Sequence, residues 1–265
     1  MLGFQTFLLS FLKVIQPSIA YFQTSKQVAT NSRNETKSMK FLLFLFLVFQ
    51  VPFLKAQEEF TLRFCPKMGA DSLILNTDYK RDSTELFRIE TLRFYISEIR
   101  FLKNNKVVYQ ESESYHLIDV DREESLTLHF NKINSPDFDA ILFNIGIDST
   151  TNVGGALGGD LDPTMGMYWS WQSGYINFKL EGYTPNCTAR NHVFEYHLGG
   201  YMEPNNALST IQLSTPPMVQ SVVIDFNLEA FLAQLDVVHL PQVMSPSAHA
   251  VNLSQKLIPL FSIRQ

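Results

Sequence analysis

Residues 161–182 read LDPTMGMYWSWQSGYINFKLEG. Both tryptophans of the chain, Trp169 and Trp171, lie in this stretch two residues apart, directly after an acidic glycine-rich loop. Alternation from Met167 sets Met167, Trp169 and Trp171 on one side of an extended chain and Tyr168, Ser170 and Gln172 on the other. This period of two predicts a strand over Met167–Leu180 carrying three large soft or aromatic groups on one surface. Such a surface reads either as a sandwich core built on bulky aromatics, whose burial dominates packing energetics, or as a functional face.

Outward from this stretch, short β-rich runs follow one another with turn residues between them: Phe60–Phe64, Ser72–Leu75, Leu86–Leu102, Val107–Gln110, Tyr115–Val120, Leu126–Phe130, Phe138–Ile145, Val193–Leu198, Ile211–Leu213 and Val219–Asn227. The clearest hairpin signal is Lys103-Asn104-Asn105-Lys106. This spacing predicts an all-β fold, a single antiparallel β-sandwich. Two short helices, Leu228–Leu235 and Ala248–Leu260 with Pro259 near its end, are expected as peripheral caps. Thr150–Met165 differs in kind, with Gly154, Gly155, Gly158 and Gly159 around Asp160 and Asp162. An oxygen-rich loop of this composition can hold Ca²⁺; it also reads as a flexible loop whose glycines supply positive φ angles.

Residues Met39–Gln57, MKFLLFLFLVFQVPFLKAQ, have the layout of a secretory signal peptide, with a lysine, an apolar run and a small residue before the cut. Cleavage is expected near Ala56/Gln57, and the apolar run falls short of the ~20 residues that a spanning helix needs. The residue directly after the cut is Gln57 and not a cysteine, so the reading is a periplasmic or secreted protein rather than a lipid-anchored one. Residues 1–38 read as an extension, either from a start assigned too early or with a role of its own. Removing residues 1–56 takes six of the 21 basic and one of the 26 acidic residues, which leaves a net charge of −10. A surface of that sign disfavours nucleic acid, whose binding rests on phosphate neutralisation, and suits cations. Residues 57–265 are read as one domain. Its two cysteines, Cys65 and Cys187, admit a disulfide in an oxidising compartment or two separate thiols.

The segment Leu161–Gly182 resembles the signature of the MbnP-like family, periplasmic proteins associated with methanobactin operons, and the chain is similar to members of the type found in Bacteroidetes. LRFYISEIRF (Leu92–Phe101), YHLIDVD (Tyr115–Asp121), FNIGID (Phe143–Asp148) and FEYHLGGY (Phe194–Tyr201) resemble further family blocks. The resemblance runs from about Phe60 to the C-terminus. It implies copper binding on a β-sandwich, with histidines as ligands and, in some members, a tryptophan oxidised to kynurenine by a diheme partner resembling a cytochrome peroxidase. The positions that can inherit these roles are Trp169, Trp171 and His197. No Trp-x-His or His-x-His pair occurs in the chain, although such spacings supply close ligands in some relatives.

Copper takes imidazole and soft sulfur ligands, so the histidines are the first candidates. His197 leads, because glycines follow it and allow close approach; His239 and His249 come next, while His116, His129 and His192 read as strand or loop residues. The chain lacks Gly-x-Ser-x-Gly and His-Glu-x-x-His motifs, so no enzymatic activity is expected. The leading expectation is an exported copper-binding protein of copper acquisition or handling. Two rivals stand beside it: a carbohydrate-binding or adhesion module with Trp169, Trp171 and Tyr175 as an exposed stacking platform, and a family scaffold that has lost its metal site.

Overall fold

The computed structural model describes residues 59–81, 85–131, 138–216 and 219–264. The expected extension (1–38) and signal peptide (39–56) lie outside the described residues. The described strands are β1 (Phe60–Met68), β2 (Asp71–Ser72), β3 (Asp78–Lys80), β4 (Leu86–Lys103), β5 (Lys106–Gln110), β6 (Tyr115–Asp119), β7 (Thr127–Phe130), β8 (Ala140–Ile145), β9 (Tyr168–Ser170), β10 (Gly174–Tyr183), β11 (Val193–Gly199), β12 (Ser209–Ser214), β13 (Ser221–Asn227), β14 (Gln242–Val243) and β15 (Phe261–Ile263). Helices α1 (Ser149–Val153), α2 (Leu228–Leu232) and α3 (Ala248–Leu257) are short.

Strand β4 is the spine of the larger sheet. Its 18 residues are long enough to take β10 along residues 88–94 and β8 along 96–102 on one edge, while β3, β6 and β5 follow each other along the opposite edge. The sheet continues outward as β12 beyond β8, and as β11 and β14 beyond β10. The smaller sheet runs β15-β13-β1, with β7 and β2 sharing the far edge of β1. Asn104 and Asn105, both at positive φ, close the β4–β5 hairpin as the sequence predicts.

The facing sides of the two sheets are packed with phenylalanine. Phe64 on β1 meets Phe94 and Phe143, and Phe94 also meets Phe226 and Phe261; the Phe226 and Phe261 rings stack 4.6 Å apart. Each such ring contributes about 1.5–3 kcal/mol by leaving water. Helix α2 adds Phe231 against Phe178, and α3 buries Ala250, Leu253 and Leu257 in the same core. The expected β-sandwich is thus the fold observed, with one correction. It is mixed rather than wholly antiparallel, because β1 pairs with β13, and β11 with β14, in parallel.

The expected strand Met167–Leu180 is also corrected. It is a hairpin, with β9 and β10 joined through residues 171–173. The Ser170 hydroxyl accepts the Ser173 N–H at 3.4 Å, and Gly174 adopts a φ of +75°, a conformation that interrupts the alternation the side chains alone continue.

Candidate functional site

Alternation along β4 and β10 gives the larger sheet a second, outward face. Asp119, Arg93, Lys179 and His197 stand abreast on β6, β4, β10 and β11, each a direct cross-strand partner of the next. Partners in register share a face. Arg93 Nε lies 3.0 Å from Asp119 Oδ2. One step along β10, Glu181 joins the row diagonally: its Oε1 lies 2.7 Å from His197 Nε2 and 3.3 Å from Lys179 Nζ. His197 is only 6% exposed. The hydrogen bond from His197, helped by the Lys179 charge, outweighs burial and holds the Glu181 carboxyl at about 2, below its ordinary 4.5. A carboxylate only accepts, so Nε2–H donates to it, and the tautomer this requires of an uncharged ring has its lone pair on Nδ1.

A strap from α1 to β9 covers part of this face. Tyr95 on β4 donates to the Asp160 carbonyl at 2.9 Å, and Tyr175 on β10 donates to that of Leu161 at 3.0 Å. The Leu157 N–H bonds to the Tyr175 hydroxyl, and an Arg93 guanidinium N–H reaches the Met165 carbonyl. Leu161 and Met167 are buried against Tyr95 and Tyr175 in a second apolar cluster. The flexible-loop reading of Thr150–Met165 is therefore corrected to a segment pinned at its backbone, although Gly155 and Gly159 do adopt positive φ. Of the two acids weighed for Ca²⁺, Asp160 accepts the Leu117 N–H at 2.9 Å, and Asp162 caps the turn Pro163–Met165 through the Thr164 N–H and hydroxyl.

The strap ends on the tryptophans, whose surroundings differ. The Trp169 ring is half-buried against Gly199, where a Cβ would stand 2.8 Å from its Cζ3. Gly199 is two residues beyond His197 on β11, so the indole and the buried histidine belong to the same face of the strand. Trp171, in the β9–β10 turn, is 72% exposed, whereas Met167 is wholly buried. The three groups predicted to share one surface thus occupy three environments. Tyr175 is buried too, which overturns the platform of Trp169, Trp171 and Tyr175: of the three, Trp171 alone is largely exposed.

His239 and His249 stand elsewhere. The His239 side chain is 81% exposed, with Nδ1 3.0 Å from both Asp236 oxygens; His249 is exposed in the first turn of α3. His116 and His129 pair with Glu111 and Glu59, and His192 bonds to the Cys187 carbonyl. Among the described residues, no three His, Cys, Asp or Glu side chains form a group able to hold a metal, so His197, His239 and His249 do not converge into one. Cys65 and Cys187 are free, buried thiols. The disulfide weighed between them is not formed, since Cys65 on β1 contacts the Ser72 hydroxyl while Cys187, in the β10–β11 loop, donates to the Val193 carbonyl.

Glu181 and Lys179 are the residues of this candidate site that sequence reasoning missed. Their only signal is the spacing Lys-x-Glu, which places both on one face of a strand, and only the β10–β11 register shows which histidine they meet.

Comparison with known families finds a match to the MbnP family model over residues 57–245. Among solved structures, MbnP from Methylosinus trichosporium is similar in fold, with a TM-score of 0.55 at 11% identity over 77% of this chain and 97% of that one. Comparison with curated protein sequences finds no match.

Proposed function

The chain belongs to the MbnP family, and on that premise we propose that it is an exported, non-enzymatic copper-binding protein of copper acquisition or handling. The observation that carries this reading is the buried His197–Glu181 pair, on the strand face against which Trp169 packs at Gly199. A carboxylate on the far nitrogen of an imidazole orients the ring and raises its basicity toward a metal. His197 is thus fit to be an imidazole donor through Nδ1, with Glu181 behind it. Trp169 is the better candidate for oxidation to kynurenine by a diheme peroxidase-like partner, being packed on the same strand face as His197, whereas Trp171 is turned to solvent. Export would proceed through the leader Met39–Ala56, delivering the protein to the periplasm or beyond.

A second reading, a family scaffold without its metal, is favoured by one observation: the described residues bring only one histidine to this face and no group of three donors. Metal analysis separates the two readings. Purified protein beginning at Gln57, loaded with copper and dialysed, is expected to retain near-stoichiometric copper, and His197→Ala is expected to lose it. No retained copper would leave the scaffold reading standing. Intact mass of protein from the native host, raised by one oxygen and lowered by one carbon, would report the kynurenine; an unmodified mass would refute that part.

A further inference from the structure

The β9–β10 turn and the loop after β11 enclose a cleft of about 410 Å³, within the roughly 300–1,000 Å³ of small-molecule sites. Gln172 lines it from the turn, Tyr201, Met202, Glu203 and Asn205 from the loop, and Pro246 from a third side. The Tyr201 ring holds the loop against the turn: its Oη reaches the Trp171 carbonyl at 3.3 Å, and a Cβ on Gly174 would stand 2.8 Å from its Cδ1. Across the cleft, a Cβ on Gly200 would stand 2.2 Å from the Asn205 carbonyl oxygen and 3.0 Å from Pro246 Cβ. The loop is closed on itself by the Asn205 N–H to the Met202 carbonyl and the Ala207 N–H to that of Gly200. The walls are thus set before a ligand arrives, which lowers the ordering cost of binding.

The charge of the cleft decides what it can receive. Glu203 is the one charged residue of the lining; it is exposed and enters no ion pair among the described residues. Both stretches of sequence that build the cleft lack Lys and Arg altogether, 133–178 on the turn side and 191–255 on the other. An anion would find no counter-charge there, whereas a cation finds an unpaired carboxylate. The rest of the lining sorts by the same logic. Gln172, Asn205 and Tyr201 carry side-chain oxygens that accept N–H bonds, and Met202 and Pro246 offer apolar surface to an aliphatic stem. Met202 is 57% exposed, and Met244, two residues before Pro246, is 44% exposed. Methionine left in solvent beside a preformed cleft suits contact with another protein, since Met and Arg are the residues enriched where proteins meet.

We propose that this cleft is a docking site for a partner protein and receives one of its arginine side chains, with the guanidinium on the Glu203 carboxylate and the stem along Met202 and Pro246. The site uses no residue of the row that contains His197, and it stands whether or not copper is bound there.

The test is calorimetric titration of the purified full chain at physiological salt, which screens its overall negative charge. The probes are the blocked peptide Ala-Leu-Arg-Leu-Ala and the same peptide with citrulline, the uncharged isostere of arginine, or with glutamate at its centre. The arginine peptide is expected to bind at millimolar concentration or below, and the other two at least about threefold more weakly. Glu203→Gln, at an exposed position, is expected to weaken the arginine peptide about threefold or more and to abolish its advantage over citrulline. Met202→Ser is expected to weaken the arginine and citrulline peptides alike. Glu124→Gln makes the same change of net charge at an exposed position in the turn before β7 and should leave binding unchanged. No binding by the arginine peptide, equal binding by the citrulline peptide, an arginine affinity indifferent to Glu203→Gln, or an equal loss in Glu124→Gln would each overturn the proposal.

Discussion

Replacing Glu181 with glutamine removes the charge that His197 and Lys179 share while keeping the shape of the side chain. In the folded protein the Glu181 carboxyl is held at about 2, against an ordinary 4.5, first by the hydrogen bond from His197. A difference of that size corresponds to about 3 kcal/mol; with a quarter of the side chain in solvent, about 2 kcal/mol is the working figure. The sign follows from the direction of the shift. A carboxyl depressed by folding stabilises the protein above its unfolded value, and that contribution drains away as pH falls from 4.5 towards 2. Urea unfolding followed by tryptophan emission should therefore place Glu181→Gln about 2 kcal/mol below the parent at neutral pH, with the gap closing through that acid window. Because the comparison is between two proteins differing at one residue, the other acid-titrating carboxylates largely cancel. A gap that stays constant from neutral pH to the acid end would refute the reasoning, since it would assign the loss to packing rather than to charge.

Two further outcomes are expected. Gly199→Ala should displace the Trp169 ring, because the added Cβ would stand 2.8 Å from Cζ3 and 2.6 Å from the Tyr175 carbonyl oxygen; a red-shifted emission with a loss of about 1–3 kcal/mol in urea is predicted, and an unchanged spectrum would show that the indole does not rest there. Alkylation of the protein unfolded without reductant should add two adducts per chain at Cys65 and Cys187, read by intact mass, and none would show that they are bridged.

What was legible in the sequence was whatever one strand states by itself. Phe60–Phe64, the long Leu86–Leu102 run and Val219–Asn227 carry their burial in alternation, and the Asn104-Asn105 turn names its own backbone conformation. The break at 171–173 was not legible, because the alternation through Trp169 and Trp171 continues across it and only Gly174 marks the turn. Strands β14 and β15 were missed for another reason. With two and three residues they have no period to read, and they exist because β11 and β13 present open edges to them. The parallel pairing of β1 with β13 likewise joins segments far apart in the sequence, Thr61 with Ser221 onward, which no local pattern reports.

The candidate site was half legible for the same physical reason. His197 was visible from the glycines after it, but its partner is determined by how β10 and β11 line up. In that register Lys179 faces His197, and Glu181 faces Glu195. The first direct pair sets two basic side chains together and the second sets two carboxylates together, arrangements that cross-strand neighbours ordinarily avoid. The diagonal contacts relieve both. Glu181 turns back to take His197 Nε2 and Lys179 Nζ on the same oxygen, while Glu195 is drawn to Gln242 on β14 at 2.5 Å. The short edge strand β14, which sequence could not show, thus supplies the partner of Glu195, while Glu181, directly opposite it, bonds to the histidine.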